Sequence, residues 1–364
     1  MLAWLKRRFR RPRIVTAPEV AAVPAPRPSP ESAFMPPVPD PVDDDALRAA
    51  AREALRVELR DQLATRANRI AAQVRGESCA LEVRALLDRV VRAEESSIRP
   101  IPTAAKRAMS LARDPLANLQ DVAEAFERDP SLAEGLLKLA NSAWYRVSDT
   151  TVESLREALH RTGSAGAESV ILRHTLQWTL CRPGGACEAM TAQVWLHLTR
   201  TAALSRALAP AFGLEPESAY LLGLLHDSGK LVLFDAVSEH RRRARGTAAL
   251  PYPILRRMLR DLHEPLGGLA MLRWGLEPGS CAAVADHHRS APTPRVNAAS
   301  ELLYVAERAD LAFAHARPCD PAAWIAEGGL VMSEDTLRNV LTRAGGGALR
   351  FVPATHDAAL VGTT

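Results

Sequence analysis

Apolar residues return every three or four positions along most of this chain. The clearest case is the stretch DALRAAAREALRVELRDQLATRANRIAAQV, which begins at Asp45. There Leu47, Ala51, Leu55, Leu59, Leu63, Ala67, Ile70 and Val74 form one stripe with Arg, Glu and Asp around it. The spacing predicts a long amphipathic helix. Its stripe is alanine-rich and steps mostly by four, so packing on the chain's own body competes with a self-associating coil. Helical period continues through Leu119–Arg128, Ser131–Trp144, Val152–Arg161, Thr191–Phe212, Glu215–His226, Leu262–Trp274 and Ala298–Ala316. Strand alternation is nearly absent, so the body is expected to be all-α. Asp129-Pro130-Ser131 reads as the end of one helix and the cap of the next. One more helix is expected at Ser333–Ala344, with fraying after Gly345-Gly346-Gly347.

The front of the chain breaks this pattern. Ten of the 26 prolines lie between Pro12 and Pro41, which predicts an extended tether. Before it, MLAWLKRRFRRPRI carries six cations and no acid, with Trp4 and Phe9 among them. This tip accounts for the formal charge of +4, since the other residues hold 40 bases against 42 acids. It is a candidate for weak contact with an anionic membrane face or nucleic acid, against the plainer reading of a solvated tail. Arg241-Arg242-Arg243-Ala244-Arg245 is a second basic cluster, read as a solvated loop. No secretory signal and no membrane-spanning apolar run is present in the sequence. Five cysteines without a CxxC pair fit neither a disulfide scaffold nor a zinc ribbon, and point to a reducing, cytoplasmic setting, with the inner membrane face as a peripheral alternative.

No Gly-rich phosphate loop and no GxSxG elbow occurs. The chemistry lies instead in histidines and acids set in apolar helical text. These are His197 in VWLHLTRTAA, His226-Asp227 in LLGLLHDSGKLVLF, His263 in DLHEPLGG, His287-His288 in ADHHRSAP and Glu307 in LLYVAERADLAF. Imidazole and carboxylate together suit a divalent transition metal. His226 and Asp227 are adjacent and so cannot share a helical face, but a helix end at Gly229 would turn both toward one centre. Lys230, one of four lysines against 42 arginines, is a candidate catalytic cation for a phosphate oxygen. The competing reading is of hydrogen-bonded core histidines without a metal.

Three stretches carry a resemblance. Ile101-Pro102, Asp129-Pro130-Ser131-Leu132 and Leu139-Ala140-Asn141-Ser142-Ala143 form the first. Gly223-Leu224-Leu225-His226-Asp227-Ser228-Gly229-Lys230 is the second, and Gly268 through Trp274-Gly275-Leu276 followed by His287-His288 is the third. Together they resemble the HDOD (HD-related output domain) family of the HD superfamily, over roughly residues 97–310. The resemblance implies an HD-like helical domain behind an HDOD amino-terminal helical bundle. It divides the chain into a basic tip and tether (1–44), a long helical segment (45–96), the HDOD domain (97–316) and a helical extension with tail (317–364). It implies a stand-alone bacterial signalling module that acts by protein contacts with a signalling partner rather than by catalysis. Self-association through residues 45–96 is a further expectation.

The superfamily's enzymes imply an alternative, a metal-dependent phosphohydrolase of a nucleotide or cyclic nucleotide. By position His197, His226, Asp227, His263 and His287 or His288 match the enzymes' metal set. Their final aspartate falls on Glu307, with Asp310 one turn on. The HD-GYP pattern HHExxDGxGYP is not matched, because Arg289-Ser290-Ala291-Pro292 follows His288.

Overall fold

The computed structural model describes residues 44–352, except 93–97, 102, 115, 143, 147–149, 182–186, 244–249, 289–296 and 346–348. The basic tip, the proline tether, Pro102, Ala143, the end of the Arg241–Arg245 cluster, Arg289–Pro292 and the tail beyond Val352 fall outside the described residues.

The stripe beginning at Asp45 forms helix α1, Asp44–Gln73. Leu59, Leu63, Ala67, Ile70 and Val74 on it are buried within the chain itself, in the same core as the rest of the body. Helix α2 (Ala80–Val91) follows. Then come α3 (Thr103–Arg113), α4 (Leu119–Glu127), α5 (Pro130–Ala140) and the long α6 (Leu155–Leu180), against which α3, α4 and α5 pack. Asp129 caps α5 by accepting from the Ser131 and Leu132 amides, as the Asp-Pro-Ser text predicts. The asparagine of Leu139-Ala140-Asn141-Ser142 has a defined job. Its Nδ2 donates to the Val152 carbonyl at 2.8 Å and its Oδ1 accepts from the Val152 amide at 2.8 Å, which closes the link from α5 to α6. Helix α6 runs well past the expected Arg161 and bends at Gly163, whose φ of 68° favours glycine.

The second half comprises α7 (Glu188–Leu208), α8 (Pro216–Leu225), α9 (Ser228–Arg243), α10 (Tyr252–Arg273), α11 (Pro278–Ala285) and α12 (Ala298–Ala314). Helices α13 (Pro321–Gly328) and α14 (Glu334–Gly345) complete it. The main packings are α7 on α8, α9 on α10, α10 on α11 and α12 on α7. Among the described residues the strand-like pairing is a single bridge, Cys319 with Phe351, so the expected all-α class holds. All five cysteines are free thiols, and no helix among the described residues is long and apolar enough to cross a membrane.

Two contacts between α7 and α8 anchor this half. Gly223 lacks a Cβ where one would sit 2.8 Å from the Ala202 Cα, so the two helices approach closely. Beside it, Arg206 and Glu217 form a buried ion pair at 2.5 Å. The Arg206 guanidinium also lies 4.0 Å from the Tyr220 ring centre and within 6 Å of Trp144 and Tyr145.

Helix α1 is fastened to α10. Arg52 donates to the Leu272 and Leu276 carbonyls at 2.9 and 2.8 Å, meeting backbone acceptors at the end of α10. Leu59 lies against Gly268, where a side chain would collide with it.

Candidate metal centre

The chain breaks between α8 and α9 at His226-Asp227, three residues before the lysine. The helix end expected at Gly229 instead falls four residues earlier, at Leu225, and Gly229 lies inside the first turn of α9. Its role is close approach. A Cβ there would lie 1.9 Å from the His263 carbonyl oxygen and 2.7 Å from the Gly267 nitrogen of α10. The missing side chain lets the start of α9 press on α10, which sets Asp227 beside His263. Gly229→Ala should therefore lower the thermal midpoint by the equivalent of about 1–3 kcal/mol or more and reduce retained metal. The control Gly76→Ala meets no atom within 4 Å and should change neither.

Every histidine of the predicted set reaches one place. His197 comes from α7, His226 and Asp227 from the break, and His263 from α10. His287 and His288 come from the turn after α11, and Glu307 from α12. The donor atoms of His197, His226, Asp227 and Glu307 lie within 4.8 Å of one another, and so do those of Asp227, His263, His287 and His288. Asp227 belongs to both groups. Its Oδ2 is 3.5 Å from His197 Nε2 and 3.6 Å from His226 Nε2, while its Oδ1 is 3.5 Å from His263 Nε2 and 3.8 Å from His287 Nε2. Each carboxylate oxygen thus faces its own pair of imidazoles.

The outer nitrogens explain the orientation. His226, His263 and His287 each pair Nδ1 with a main-chain carbonyl three residues back, on Gly223, Arg260 and Val284. His197 pairs Nδ1 with Asp310 Oδ2 at 2.6 Å. A carbonyl can only accept, so Nδ1 carries the proton and Nε2 is aimed inward. Burial holds the imidazoles of His226, His263 and His287 below their ordinary pKa, the latter two well below it. At neutral pH these rings are uncharged and their inner nitrogens carry lone pairs.

Such a set demands a positive group at its centre. His197 Nε2 and His226 Nε2 are 3.1 Å apart. With both rings neutral and both Nδ1 protons turned outward, their lone pairs would face each other and repel. Asp227 Oδ1 and His263 Nε2, both buried, have no hydrogen-bond partner among the described residues. Donors about 2.1 Å from one ion stand roughly 3.0–3.4 Å apart, and the observed spacings of 3.1–3.8 Å are close to that. The nitrogen and oxygen donors fit a divalent transition metal.

Lys230 places a cation directly on the shared carboxylate, with Nζ 2.5 Å from Asp227 Oδ2. Burial opposes its charge, but Asp227 and Glu307 outweigh this and raise its pKa. For Asp227, burial alone would raise the carboxyl. Lys230 and the surrounding histidines instead hold it well below the usual carboxylate range.

The expectation left two positions open, and the geometry separates the residues at each. His287 is fully buried, whereas His288 stands at the rim with its side chain 39% exposed. Glu307 lies among the donor atoms, and its Oε2 is 3.2 Å from His288 Nδ1. Asp310 instead stands behind His197 and takes two hydrogen bonds from Arg200, at 2.5 and 3.0 Å. Burial would raise the Asp310 carboxyl, but the hydrogen bonds from His197 and Arg200 hold it below its ordinary value. Arg200 had no sequence signal beyond sitting three residues after His197. Two clefts meet at His288, one of about 920 Å³ between α1 and α10 and one of about 460 Å³ between α12 and the segment leading to α13. A separate groove of about 610 Å³ between α5 and α6, lined in part by Lys138, Arg173 and Gln177, shares no residue with the centre.

A protein of Treponema pallidum (strain Nichols), itself uncharacterised, is 24% identical over 227 residues, 59% of this chain. The match spans only 42% of that relative's length. Two solved proteins of Shewanella amazonensis SB2B share the fold. One, provisionally named a phosphohydrolase, is 18% identical with a TM-score of 0.53 over 71% of this chain and 95% of its own. The other, provisionally named a metal-dependent phosphohydrolase, is 17% identical with a TM-score of 0.52 over 71% of this chain and 99% of its own. The HDOD domain family profile matches residues 98–290, more than half of the chain, including the α5 helix text, the His226-Asp227 break and the paired histidines. The chain belongs to the HDOD domain family.

Proposed function

We propose that this HDOD chain is a metal-dependent phosphohydrolase acting on a phosphate ester, with nucleotides and cyclic nucleotides as the substrates to test first. One observation carries the reading. Four imidazole Nε2 atoms converge on the two oxygens of a single buried carboxylate, each with its outer nitrogen tied to an acceptor. A packed core gains nothing from that arrangement, since it leaves lone pairs facing one another.

His197, His226, Asp227 and Glu307 would hold one divalent ion, and Asp227, His263, His287 and His288 a second. Bound there, such ions supply Lewis acidity and a water of lowered pKa. The chain's own residues do the rest. Asp310 and the three helix carbonyls keep the imidazole rings from turning. Lys230 lies at the edge of the centre with about a fifth of its side chain exposed, so its ammonium can give one donor to Asp227 and another to a phosphate oxygen. The surrounding core excludes water on the inner side, and the clefts at His288 admit substrate from the outer side.

A second reading is the non-enzymatic output module, and one contact favours it. Lys230 already balances the charge of Asp227, so the fold does not need a metal for electrostatic closure. Protein purified without chelators separates the two. The hydrolase reading expects near-stoichiometric transition metal and metal-dependent cleavage of bis(p-nitrophenyl) phosphate or a cyclic nucleotide, both lost in His226→Ala. Metal-free, inert protein that holds a reproducible protein partner would replace it with the output reading.

A further inference from the structure

The structure assigns a positioning role to Arg66 and Glu264: through them, helix α1 holds the rim histidine and with it the ion of the Asp227–His263–His287–His288 group. This rests on the reading that the centre takes metal. The path starts from a defect in α10. Pro265 lies inside that helix and has no N–H, so the Asp261 carbonyl lacks its helical donor. Arg66 of α1 supplies one, with Nη1 3.1 Å from the Asp261 oxygen. The same nitrogen is 3.0 Å from Glu264 Oε2. The other oxygen of Glu264, Oε1, accepts from the His288 backbone amide at 3.1 Å. His288 in turn meets Glu307 through its ring at 3.2 Å.

The link is therefore continuous from α1 to the rim, and every member has a defined partner. Glu264 is nine-tenths buried, so its charge needs Arg66. His288 lies in the turn after α11, and the carboxylate beneath its amide fixes its main chain and so sets where the ring stands. Helix α1 lies wholly outside the residues that match the family profile. It is nonetheless seated firmly, by Leu59, Leu63, Ala67 and Ile70 and by the Arg52 hydrogen bonds. Of the other donor group, Glu307 meets this path at its far end, while the two histidines are held separately. His197 is backed by Asp310, and His226 by the Gly223 carbonyl.

A plain fastening of α1 would affect stability alone. A positioning role acts on one ion and spares the other. The experiment titrates Mn²⁺ into the full-length chain, Arg66→Met and Glu264→Gln. Calorimetry reads stoichiometry and affinity, and electron paramagnetic resonance reads whether two ions are coupled. The wild type should take about two ions with a coupled spectrum. Each variant should keep the affinity of one ion and weaken the other about 10–100-fold, so that the spectrum becomes that of an isolated ion. Arg66→Lys should restore part of the coupled signal. Circular dichroism melts distinguish loss of folding from loss of one ion. Unchanged binding of both ions, or equal weakening of both, overturns the inference while the metal reading stands. A wild type that takes no Mn²⁺ overturns the metal reading itself, and this inference with it.

Discussion

Asp227→Asn should empty the centre of metal in one step. Retained transition metal should fall from about two ions per chain to under about 0.2, and phosphodiester cleavage by on the order of 10³-fold. The reason is that Asp227 is shared. Each of its oxygens faces a different pair of imidazoles, so loss of its charge weakens both donor groups together. The substitution also changes the donor pattern, because an amide nitrogen would hydrogen-bond to inward lone pairs that otherwise await a cation. The residue is fully buried, and asparagine has nearly its shape, so the fold should survive. Glu307→Gln is the contrast. Glu307 belongs to one donor group, and its loss should leave the other able to retain an ion. Elemental analysis of both variants beside the wild type is the measurement. Stoichiometric metal in Asp227→Asn would show that the ions sit elsewhere.

Arg206→Met should destabilise the chain by about 3–5 kcal/mol. The substitution strands Glu217 as a buried carboxylate whose 2.5 Å partner is gone. It also removes the cation from between Tyr220, Trp144 and Tyr145. Burial and the neighbouring Glu217 push the Tyr145 phenol well above its ordinary value, so it stays neutral and supplies no charge to pair with the carboxylate. The double variant Arg206→Met with Glu217→Leu should recover most of the loss, since a buried pair replaced on both sides by apolar groups costs little. Thermal midpoints read the effect, with a fall of roughly 10 °C expected for the single variant. A single variant that melts like the wild type would mean that water reaches Glu217.

Much of the centre was legible in sequence, because a histidine amid leucines and alanines on a helix is conspicuous. His197, His226, Asp227, His263, His287, His288 and Glu307, singled out by the pattern and the resemblance, come together in two groups that share Asp227. One helix boundary, at Asp129, followed from capping chemistry, whereas the helix expected to end at Arg161 runs on to Leu180. Residues whose value comes only from long-range contact were not legible. Asp310 was visible merely as an alternative to Glu307, and its partnership with His197 spans 113 positions. Arg66 and Glu264 are 198 positions apart and look like ordinary helix-surface charges in their own segments. Gly229 was noticed for the wrong reason. It reads locally as a helix end, but what requires it is the His263 carbonyl of another helix. The α1 stripe could be recognised as apolar, while its partner could not, because periodicity names a face and not what covers it.

The profile match ends at residue 290, and the centre does not. Glu307 and Asp310 lie beyond that limit, and Arg66 lies before its start. A fragment cut to the matched boundaries would hold the centre's five histidines and the shared aspartate. It would lack one donor carboxylate, the anchor of His197 and the guanidinium that completes α10 at Pro265. The matched stretch is thus smaller than the set of residues that builds the candidate centre.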